Sequence, residues 1–285
     1  MRIDLHTHST ASDGTTSPAA LMACARDARI DVVAITDHDT TGGWADAVAA
    51  LPSGLTLIRG AEFSCVHTDG DGRRISLHLL GYLFDPEHEG LRAERARLRE
   101  SRLSRGRAIV DKLAADGIPV TWQRVVEIAD GGAVGRPHIG RALVEQGVVA
   151  DVGAAFAEIL SSSSKYYVPK VDSDVFDMVE LLRAAGGVSV FAHPLARHRG
   201  PVVSDEVIVA MAAAGLAGVE IDHPDHSQPD RLHLAQLASE LDLICTGSSD
   251  YHGSNKQTPI GACTTRPASY EALVARTTAL QPMRC

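Results

Sequence analysis

Short apolar runs alternate with helical patterns along most of this 285-residue chain, and this alternation constrains the fold more than any other feature. Runs of this length that are rich in β-branched residues are typical of strands buried on both faces, which occur in largely parallel sheets covered by helices. Seven runs fit either a barrel or an open doubly wound α/β sheet. The predicted strands are Arg2–Leu5, Val32–Thr36, Thr56–Arg59, Ile75–Leu83, Val188–Ala192, Gly218–Asp222 and Leu243–Thr246.

The segments between these strands carry apolar residues at helical spacing. One strand departs from the parallel scheme, because Ile75–Leu83 follows the turn-rich segment His67–Gly72 and is therefore expected to pair antiparallel with the strand before it. The predicted helices are Pro18–Ala28, Trp44–Ala50, Ser173–Ala185, Glu206–Ala214, Pro229–Leu241 and Tyr270–Thr277.

The alternation stops between Glu89 and Val168, where helix formers dominate and a further helix is expected at His138–Gln146. We interpret this stretch as a helical insertion, which divides the chain into 1–88 (first barrel part), 89–168 (a cap over the substrate) and 169–285 (second barrel part). Its arginine run is interspersed with glutamates, which is typical of a solvated, salt-bridged helix; a basic lid over RNA is the alternative. The arginines are Arg92, Arg95, Arg97, Arg99, Arg102, Arg105 and Arg107.

Composition excludes several classes of protein. The formal net charge of −9 argues against an extended nucleic-acid surface, although a local basic pocket stays possible. The five cysteines form no C-x-x-C pair, which indicates a reduced, cytoplasmic protein without a thiolate metal site. The N-terminus does not resemble a signal peptide, and no apolar stretch reaches the roughly 20 residues that span a bilayer. No obligate protein partner is evident.

Two histidines one residue apart, His6 and His8, end the first strand. Residues i and i+2 of a strand point to the same side, so this pair can hold two corners of a metal ion. Imidazoles and carboxylates also end or interrupt most of the other strands, at the edge where α/β folds place their sites. They are Asp37, His38, Asp39, Glu62, His78, His193, Asp250 and His252.

Packing does not explain so many polar side chains at strand ends, so we expect a multinuclear metal site. Histidine and carboxylate ligands without cysteine suit Mn²⁺, Fe²⁺ or Zn²⁺. Two or three such ions are suited to phosphoester hydrolysis, because they neutralise phosphoryl charge and activate water. We expect two or three divalent ions, with Mn²⁺ preferred.

These residues, in this order, resemble the PHP (polymerase and histidinol phosphatase) family. The resemblance rests on six segments: His6-Thr7-His8, Thr36-Asp37-His38, Glu62, His78, Ala192-His193-Pro194 and Ser249-Asp250-Tyr251-His252. It implies a distorted (β/α)₇ barrel of class α/β with metals at the carboxyl-end rim. It also implies three metal positions, held by His6, His8, Glu62 and Asp250; by Glu62, His78 and His193; and by Asp13, His38 and His252.

A second resemblance lies in the insertion. Gly135–Arg141, the following Ala142–Glu145 and the exit segment Lys165–Pro169 are similar to one PHP branch. That branch contains 3′,5′-nucleotide bisphosphate phosphatases and 5′→3′ exoribonucleases. The resemblance therefore implies a phosphorylated nucleotide or a short RNA as substrate, with release of the 3′-phosphate of a 3′,5′-bisphosphonucleoside as the preferred reaction. Exoribonuclease activity, histidinol-phosphate phosphatase activity and a non-enzymatic metal-binding module are the alternatives.

Substrate contacts are sought among cations and hydroxyls near the rim. Arg136 and Lys165 bracket the return of the insertion to the barrel and are candidates for binding a second phosphate. Arg197 follows the strand that carries His193, and Ser9 follows His8 directly.

The segment Glu220–His226 supplies two further candidates for substrate contact, His223 and His226. We expect His226 to protonate the leaving oxygen. His223 can alternatively orient a metal ligand. The expected catalytic residues are thus Glu62, Asp250 and His226.

Overall fold

The computed structural model describes all residues, 1–285. Its strands are β1 (Ile3–Asp4), β2 (Val32–Ile35), β3 (Thr56–Thr68), β4 (Arg74–Tyr82), β5 (Ser173–Asp174), β6 (Val188–Phe191), β7 (Gly218–Asp222), β8 (Ile244–Gly247) and β9 (Met283–Arg284). Its helices are α1 (Pro18–Asp27), α2 (Trp44–Ala49), α3 (Glu89–Ala115), α4 (Trp122–Ala129), α5 (Arg136–Glu145), α6 (Val152–Glu158), α7 (Val175–Ala184), α8 (Asp205–Ala214), α9 (Gln228–Glu240) and α10 (Pro267–Arg276). No helix combines the length and the hydrophobicity that a membrane-spanning segment requires.

Seven strands form a nearly closed barrel in the order β1-β2-β3-β4-β6-β7-β8. Closure comes from the residues just beyond the first and last strands, where Thr7 bridges to Tyr251 and the His8 amide donates to the Tyr251 carbonyl at 2.8 Å. β4 runs antiparallel to both β3 and β6, which confirms the predicted hairpin. The expected distorted barrel is therefore confirmed, and the open doubly wound sheet is excluded.

The two faces of a barrel strand belong to two different apolar cores. In β2, Val33 and Ile35 pack with the surrounding helices, whereas Val32 and Ala34 pack in the barrel interior. Tyr270 of α10 belongs to the interior cluster. Burial on both faces explains why these strands appear in the sequence as continuous apolar runs rather than as alternating patterns.

One strand differs clearly from its predicted bounds. β3 continues to Thr68, although Gly60 and the polar residues after it had suggested an end at Arg59. Gly60 is required by close packing rather than by a turn, because a Cβ there would lie 2.7 Å from the Gly81 carbonyl oxygen of β4. The long hairpin pairs residues from Gly60–Tyr82 to Thr68–Arg74 and carries Glu62 and His78 on neighbouring strands.

Helices α3 to α6 lie between β4 and β5 and enclose an apolar cluster of their own, which includes Leu113, Val125 and Leu143. This arrangement is compatible with the expected insertion, and the division into domains stays a prediction. The arginine run is not uniformly solvated. Arg97 pairs with Glu94 on the surface, as expected, but Arg102 is buried.

Arg102 ties α3 to the barrel. Its Nε donates to Asp39 Oδ2 at 2.5 Å, and a terminal nitrogen donates to the Ser64 hydroxyl at 2.8 Å. Asp39 also accepts the Ser64 amide and hydroxyl, each at 2.8 Å. Burial raises the pKa of the Asp39 carboxyl, but the Arg102 guanidinium outweighs this effect and holds that pKa well below its usual value. The Asp39 carboxylate therefore stays charged and depends on Arg102 for its counterion.

Replacing Arg102 by Met should destabilise the protein strongly, since it leaves the Asp39 carboxylate buried without its cation. The expected loss in free energy of unfolding is about 3–5 kcal/mol, measured by denaturant titration. Arg99→Met on the exposed side of the same helix is the matched control and should change stability by less than about 0.5 kcal/mol. Equal effects of the two substitutions would contradict the role of the buried pair.

Candidate metal centre

The Glu62 carboxylate lies at the centre of five imidazoles. Its Oε2 atom is 3.3 Å from His6 Nε2, 3.1 Å from His8 Nε2 and 3.2 Å from His38 Nδ1. Its Oε1 atom is 2.7 Å from His78 Nδ1 and 3.0 Å from His193 Nε2. Each carboxylate oxygen therefore faces a different set of nitrogen donors. This is the arrangement of a carboxylate that can bridge two cations.

Two further carboxylates flank this centre. Asp250 Oδ1 is 3.5 Å from the Nε2 atoms of both His6 and His8 and 3.3 Å from His252 Nδ1. Asp13 lies on the other side of His252, with Oδ1 3.4 Å from its Nε2. Asp13 Oδ2 is 3.6 Å from His38 Nε2. The nine residues expected to hold metals thus lie in one continuous cluster.

The barrel brings these side chains together because most of them follow the carboxyl end of a strand. His6 and His8 follow β1, His38 follows β2, His193 follows β6 and Asp250 follows β8. The backbone has positive φ at Asp39 (54°), His193 (31°) and Asp250 (52°), a conformation that residues other than glycine rarely adopt. Strained backbone of this kind is concentrated at functional sites.

One further carboxylate, Glu220, orients two of the ligands. Glu220 Oε1 lies 3.3 Å from His6 Nδ1 and also accepts the Ser248 hydroxyl, while its Oε2 accepts the His193 amide at 2.8 Å. A carboxylate on the outer imidazole nitrogen fixes the ring tautomer and its orientation. Glu220 was not among the residues predicted for the site, although a buried carboxylate in the middle of the apolar strand β7 was a signal.

Burial and charge set the protonation of the cluster. Burial lowers the pKa of His193 to about 3, which keeps that imidazole neutral and able to act as a ligand. Burial also lowers the pKa of His8, but hydrogen bonds to the Asp250 and Glu62 carboxylates outweigh it and raise the value to about 9. Glu62 itself has a pKa well below its usual value, because His78, His38 and His6 outweigh the effect of its burial.

The donor set fits divalent metal ions. His6 Nε2 and His8 Nε2 face each other at 3.0 Å, and two lone pairs at this separation repel unless a cation or a proton lies between them. The buried Nδ1 atom of His38 has no hydrogen-bond partner. Residues of the cluster form three groups in which the potential ligand atoms lie within 4.8 Å of one another. The groups are His6, His8 and Asp250; His38, Glu62 and His78; and His8, Asp13, His38 and His252.

Two expected substrate contacts are occupied by the protein itself. The Ser9 side chain is fully buried, and its hydroxyl donates to Asp37 Oδ2 at 2.7 Å, so it is not free to bind a phosphate. His226 Nδ1 donates to the Ile221 carbonyl at 2.8 Å, while its Nε2 accepts the Leu195 amide at 3.2 Å. With both ring nitrogens used by the backbone, His226 has no free position for proton transfer, and the geometry disfavours its expected catalytic role.

The three expected basic contacts also point elsewhere. Arg136 donates to the Leu160 carbonyl at 2.9 Å and lies over the Phe156 ring, and burial lowers its pKa to about 10. Lys165 is 70% exposed and pairs with Asp116. Arg197 is 62% exposed, and its closest carboxylate belongs to Asp230, at 3.7 Å. None of these three cations pairs with a residue of the cluster.

Different cations contact the cluster. Lys256 Nζ lies 2.5 Å from Asp250 Oδ2. A terminal nitrogen of Arg199 lies 2.7 Å from the same oxygen. His223 lies on the same side, with Nε2 3.4 Å from that oxygen. Arg199 stands two residues after Arg197, and the sequence pattern did not show which of the two arginines would contact the cluster. Lys256 lies six residues after Asp250, beyond a short turn, and no signal in the sequence pointed to it.

Three comparisons place the chain among known proteins. Residues 4–165 match the PHP domain family. The chain is 36% identical to a 5′-3′ exoribonuclease of Haemophilus influenzae (88% of this chain, 90% of the relative) and 32% identical to a 3′,5′-nucleoside bisphosphate phosphatase of Chromobacterium violaceum (88% and 87%). A solved structure from Bifidobacterium adolescentis, assigned as a metal-dependent phosphoesterase, superposes with a TM-score of 0.91 at 35% identity (97% of this chain, 96% of the other).

A barrel with nine imidazoles and carboxylates at its carboxyl-end rim, together with these relatives, defines a metal-dependent phosphoester hydrolase. The chain belongs to the PHP family.

Removing one of the central imidazoles should weaken metal binding. We expect His8→Asn to bind Mn²⁺ at least about 10–100-fold more weakly than the unaltered protein, measured by calorimetry and by metal content after dialysis. His67→Asn is the matched control, because His67 packs against Phe176, outside the cluster. Identical metal content in both variants would contradict the assignment of His8 as a ligand.

Replacing His226 by Ala should affect stability more than catalysis. It leaves the Leu195 amide and the Ile221 carbonyl without partners, at an expected cost of about 1–3 kcal/mol in the free energy of unfolding. Loss of a catalytic acid would instead lower kcat by about 100–10,000-fold. Steady-state kinetics at a temperature where both proteins are folded distinguish these outcomes, with the exposed His233→Ala as control.

Proposed function

We propose that this phosphoesterase hydrolyses nucleotides, and that its preferred reaction releases the 3′-phosphate of 3′,5′-bisphosphonucleosides such as 3′,5′-bisphosphoadenosine. The observation that carries the proposal is the Glu62 carboxylate, whose two oxygens face separate sets of imidazoles. Two divalent ions held by these residues would be suited to phosphoryl chemistry. The names of the relatives supply the nucleotide class.

The two activities named among the relatives share one bond. Release of the 3′-phosphate from a bisphosphonucleoside breaks the bond between phosphorus and the ribose 3′ oxygen. Removal of a 5′-phosphorylated nucleotide from RNA can break the same bond, with a second nucleotide attached to the phosphorus. One site can therefore support both reactions. Which substrate it accepts depends on whether the space next to the phosphorus can accommodate a second nucleotide.

Divalent ions, two or three in number and Mn²⁺ by preference, would be held by the nine residues of the cluster and would activate water and neutralise phosphoryl charge. The chain's own residues provide the positioning. Glu62 holds both halves of the cluster at a fixed separation, and Glu220 fixes the orientation of His6. Because these side chains are buried and already arranged, little reorganisation is needed when charge develops on the phosphoryl group.

His223 supports Asp250 rather than the substrate. Its Nδ1 accepts the Asp225 amide at 3.0 Å, so the proton of the neutral ring lies on Nε2. This Nε2 atom has no hydrogen-bond partner and lies 3.4 Å from Asp250 Oδ2. This separation places the His223 ring against the Asp250 carboxylate, although no hydrogen bond is formed between them. We therefore assign to His223 the orientation of Asp250, the alternative considered for it from the sequence.

Short RNA is the second candidate substrate, and a cleft beside the cluster favours it. The cleft, about 300 Å³ in volume, lies between helices α4 and α5 and the loop that contains Asp13. Its lining is almost entirely polar and contains the cations Arg124 and Arg141 together with the carboxylates Glu127 and Asp130. This volume is at the lower end of the range for ligand pockets, roughly 300–1,000 Å³, which suits one added nucleotide rather than a long strand.

The test compares kcat/KM of the Mn²⁺-loaded protein on 3′,5′-bisphosphoadenosine, a 5′-phosphorylated RNA trimer and histidinol phosphate. We expect the bisphosphate to be the best substrate and histidinol phosphate the poorest. Adenosine 3′-monophosphate, which lacks the 5′-phosphate, serves as the matched control and should react about 10–100-fold more slowly because charged contacts are lost. A higher kcat/KM for the RNA trimer would favour the exoribonuclease, and a higher value for histidinol phosphate would refute a nucleotide substrate.

A purely structural metal site is distinguished by chelation. Treatment with EDTA should abolish turnover, and added Mn²⁺ should restore it, with Fe²⁺ and Zn²⁺ compared in parallel. If chelation lowers only the melting temperature while turnover persists, the metals serve the fold and the proposed chemistry is wrong.

A further inference from the structure

Asp250 is shared between the metal cluster and two cations. Its Oδ1 atom faces His6, His8 and His252, whereas its Oδ2 atom faces Arg199 at 2.7 Å and Lys256 at 2.5 Å. No other lysine or arginine of the chain pairs with a member of the nine-residue cluster. The only fixed positive side chains at the cluster are therefore concentrated on one oxygen atom at its rim.

The two cations come from separate turns. Arg199 ends the 3₁₀ turn Arg197–Arg199 after β6, and Lys256 follows the 3₁₀ turn Gly253–Asn255 after β8. Each side chain is 32% exposed, in contrast to the buried carboxylate between them. Arg199 is also held by Asp225, which accepts its Nε at 2.7 Å. The two charged groups are thus positioned by carboxylates and remain about one-third exposed to solvent.

Both groups keep unused hydrogen-bond donors. The Arg199 guanidinium uses Nε and one terminal nitrogen, and its other terminal nitrogen makes no hydrogen bond. The Lys256 ammonium carries three hydrogens and donates one of them, to Asp250. A ligand at the cluster can therefore be bound without breaking the pairs with Asp225 and Asp250.

We propose that Arg199 and Lys256 form a clamp that binds the non-bridging oxygens of the phosphate group undergoing hydrolysis. The two cations meet at Asp250 Oδ2 and each keeps free donors there. A guanidinium edge beside an ammonium group suits the charge and the several acceptor oxygens of a phosphate. Arg136, Lys165 and Arg197 pair elsewhere and do not contact the cluster, so they do not compete with the two clamp residues for this role. It rests on the proposed phosphate-ester chemistry but not on the identity of the nucleotide.

The same cations also neutralise Asp250, which is a simpler role for them. The two roles predict different behaviour once metal is bound. If the cations serve only Asp250, their loss changes metal affinity and leaves the binding of phosphate to the metal-loaded protein unchanged. If they clamp phosphate, their loss weakens phosphate binding at full metal occupancy.

The experiment measures binding of inorganic phosphate to the Mn²⁺-loaded protein by calorimetry, with metal content determined on the same samples. We expect Arg199→Met and Lys256→Met each to raise the Kd for phosphate about tenfold or more, since each removes a charge-assisted hydrogen bond. Arg199→Lys keeps the charge but loses the second donor edge, so an intermediate Kd is expected. Arg266→Met, which removes one exposed positive charge at the start of α10, is the control for net charge and should leave the Kd unchanged.

Three outcomes are decisive against the clamp or its basis. An unchanged phosphate Kd in both Met variants at full metal occupancy overturns the clamp. A raised Kd that returns to the unaltered value when Mn²⁺ is made saturating shows that the cations act only through Asp250. Failure of the unaltered metal-loaded protein to bind phosphate at all refutes the phosphate-ester function itself, independently of the two cations.

Discussion

The rest of this structure depends on one buried carboxylate surrounded by five imidazoles. Glu62 is 1% exposed, and an isolated charge at such a position would be strongly unfavourable. Its oxygens lie within 3.3 Å of nitrogens from four different parts of the barrel, so the carboxylate can exist there only if the rim is assembled around it. The cluster therefore favours metal binding and constrains the closure of the barrel at the same time.

Much of this centre could be predicted from the sequence because its ligands follow buried strands. An apolar run that ends in a polar residue indicates the strand, its carboxyl end and a side chain at the rim. His6, His38, His193 and Asp250 all follow this rule, and the structure brings them together. The exact end of β3 could not be predicted, because Gly60 looks like a break and serves close packing instead.

Substrate contacts were harder to predict, since proximity in sequence does not show which partners a side chain already has. Ser9 follows two expected ligands but is occupied by Asp37, and both nitrogens of His226 are occupied by the backbone. Arg136 opens the helix that resembles a nucleotide-specific branch, yet its guanidinium caps the Leu160 carbonyl. Only the folded structure shows whether a polar group has donors left for a ligand.

A buried ion pair joins helix α3 to the segment that follows β2, which connects this helix energetically to the neighbouring metal centre. Arg102 of α3 holds Asp39, the residue directly after His38, in a backbone conformation with φ of 54°. His38 contacts Glu62 on one side and Asp13 on the other. A displacement of α3 would therefore be transmitted through Asp39 to the imidazole between two parts of the cluster. Because a buried pair is costly to separate, helix α3 and the rim are expected to move as one unit rather than independently.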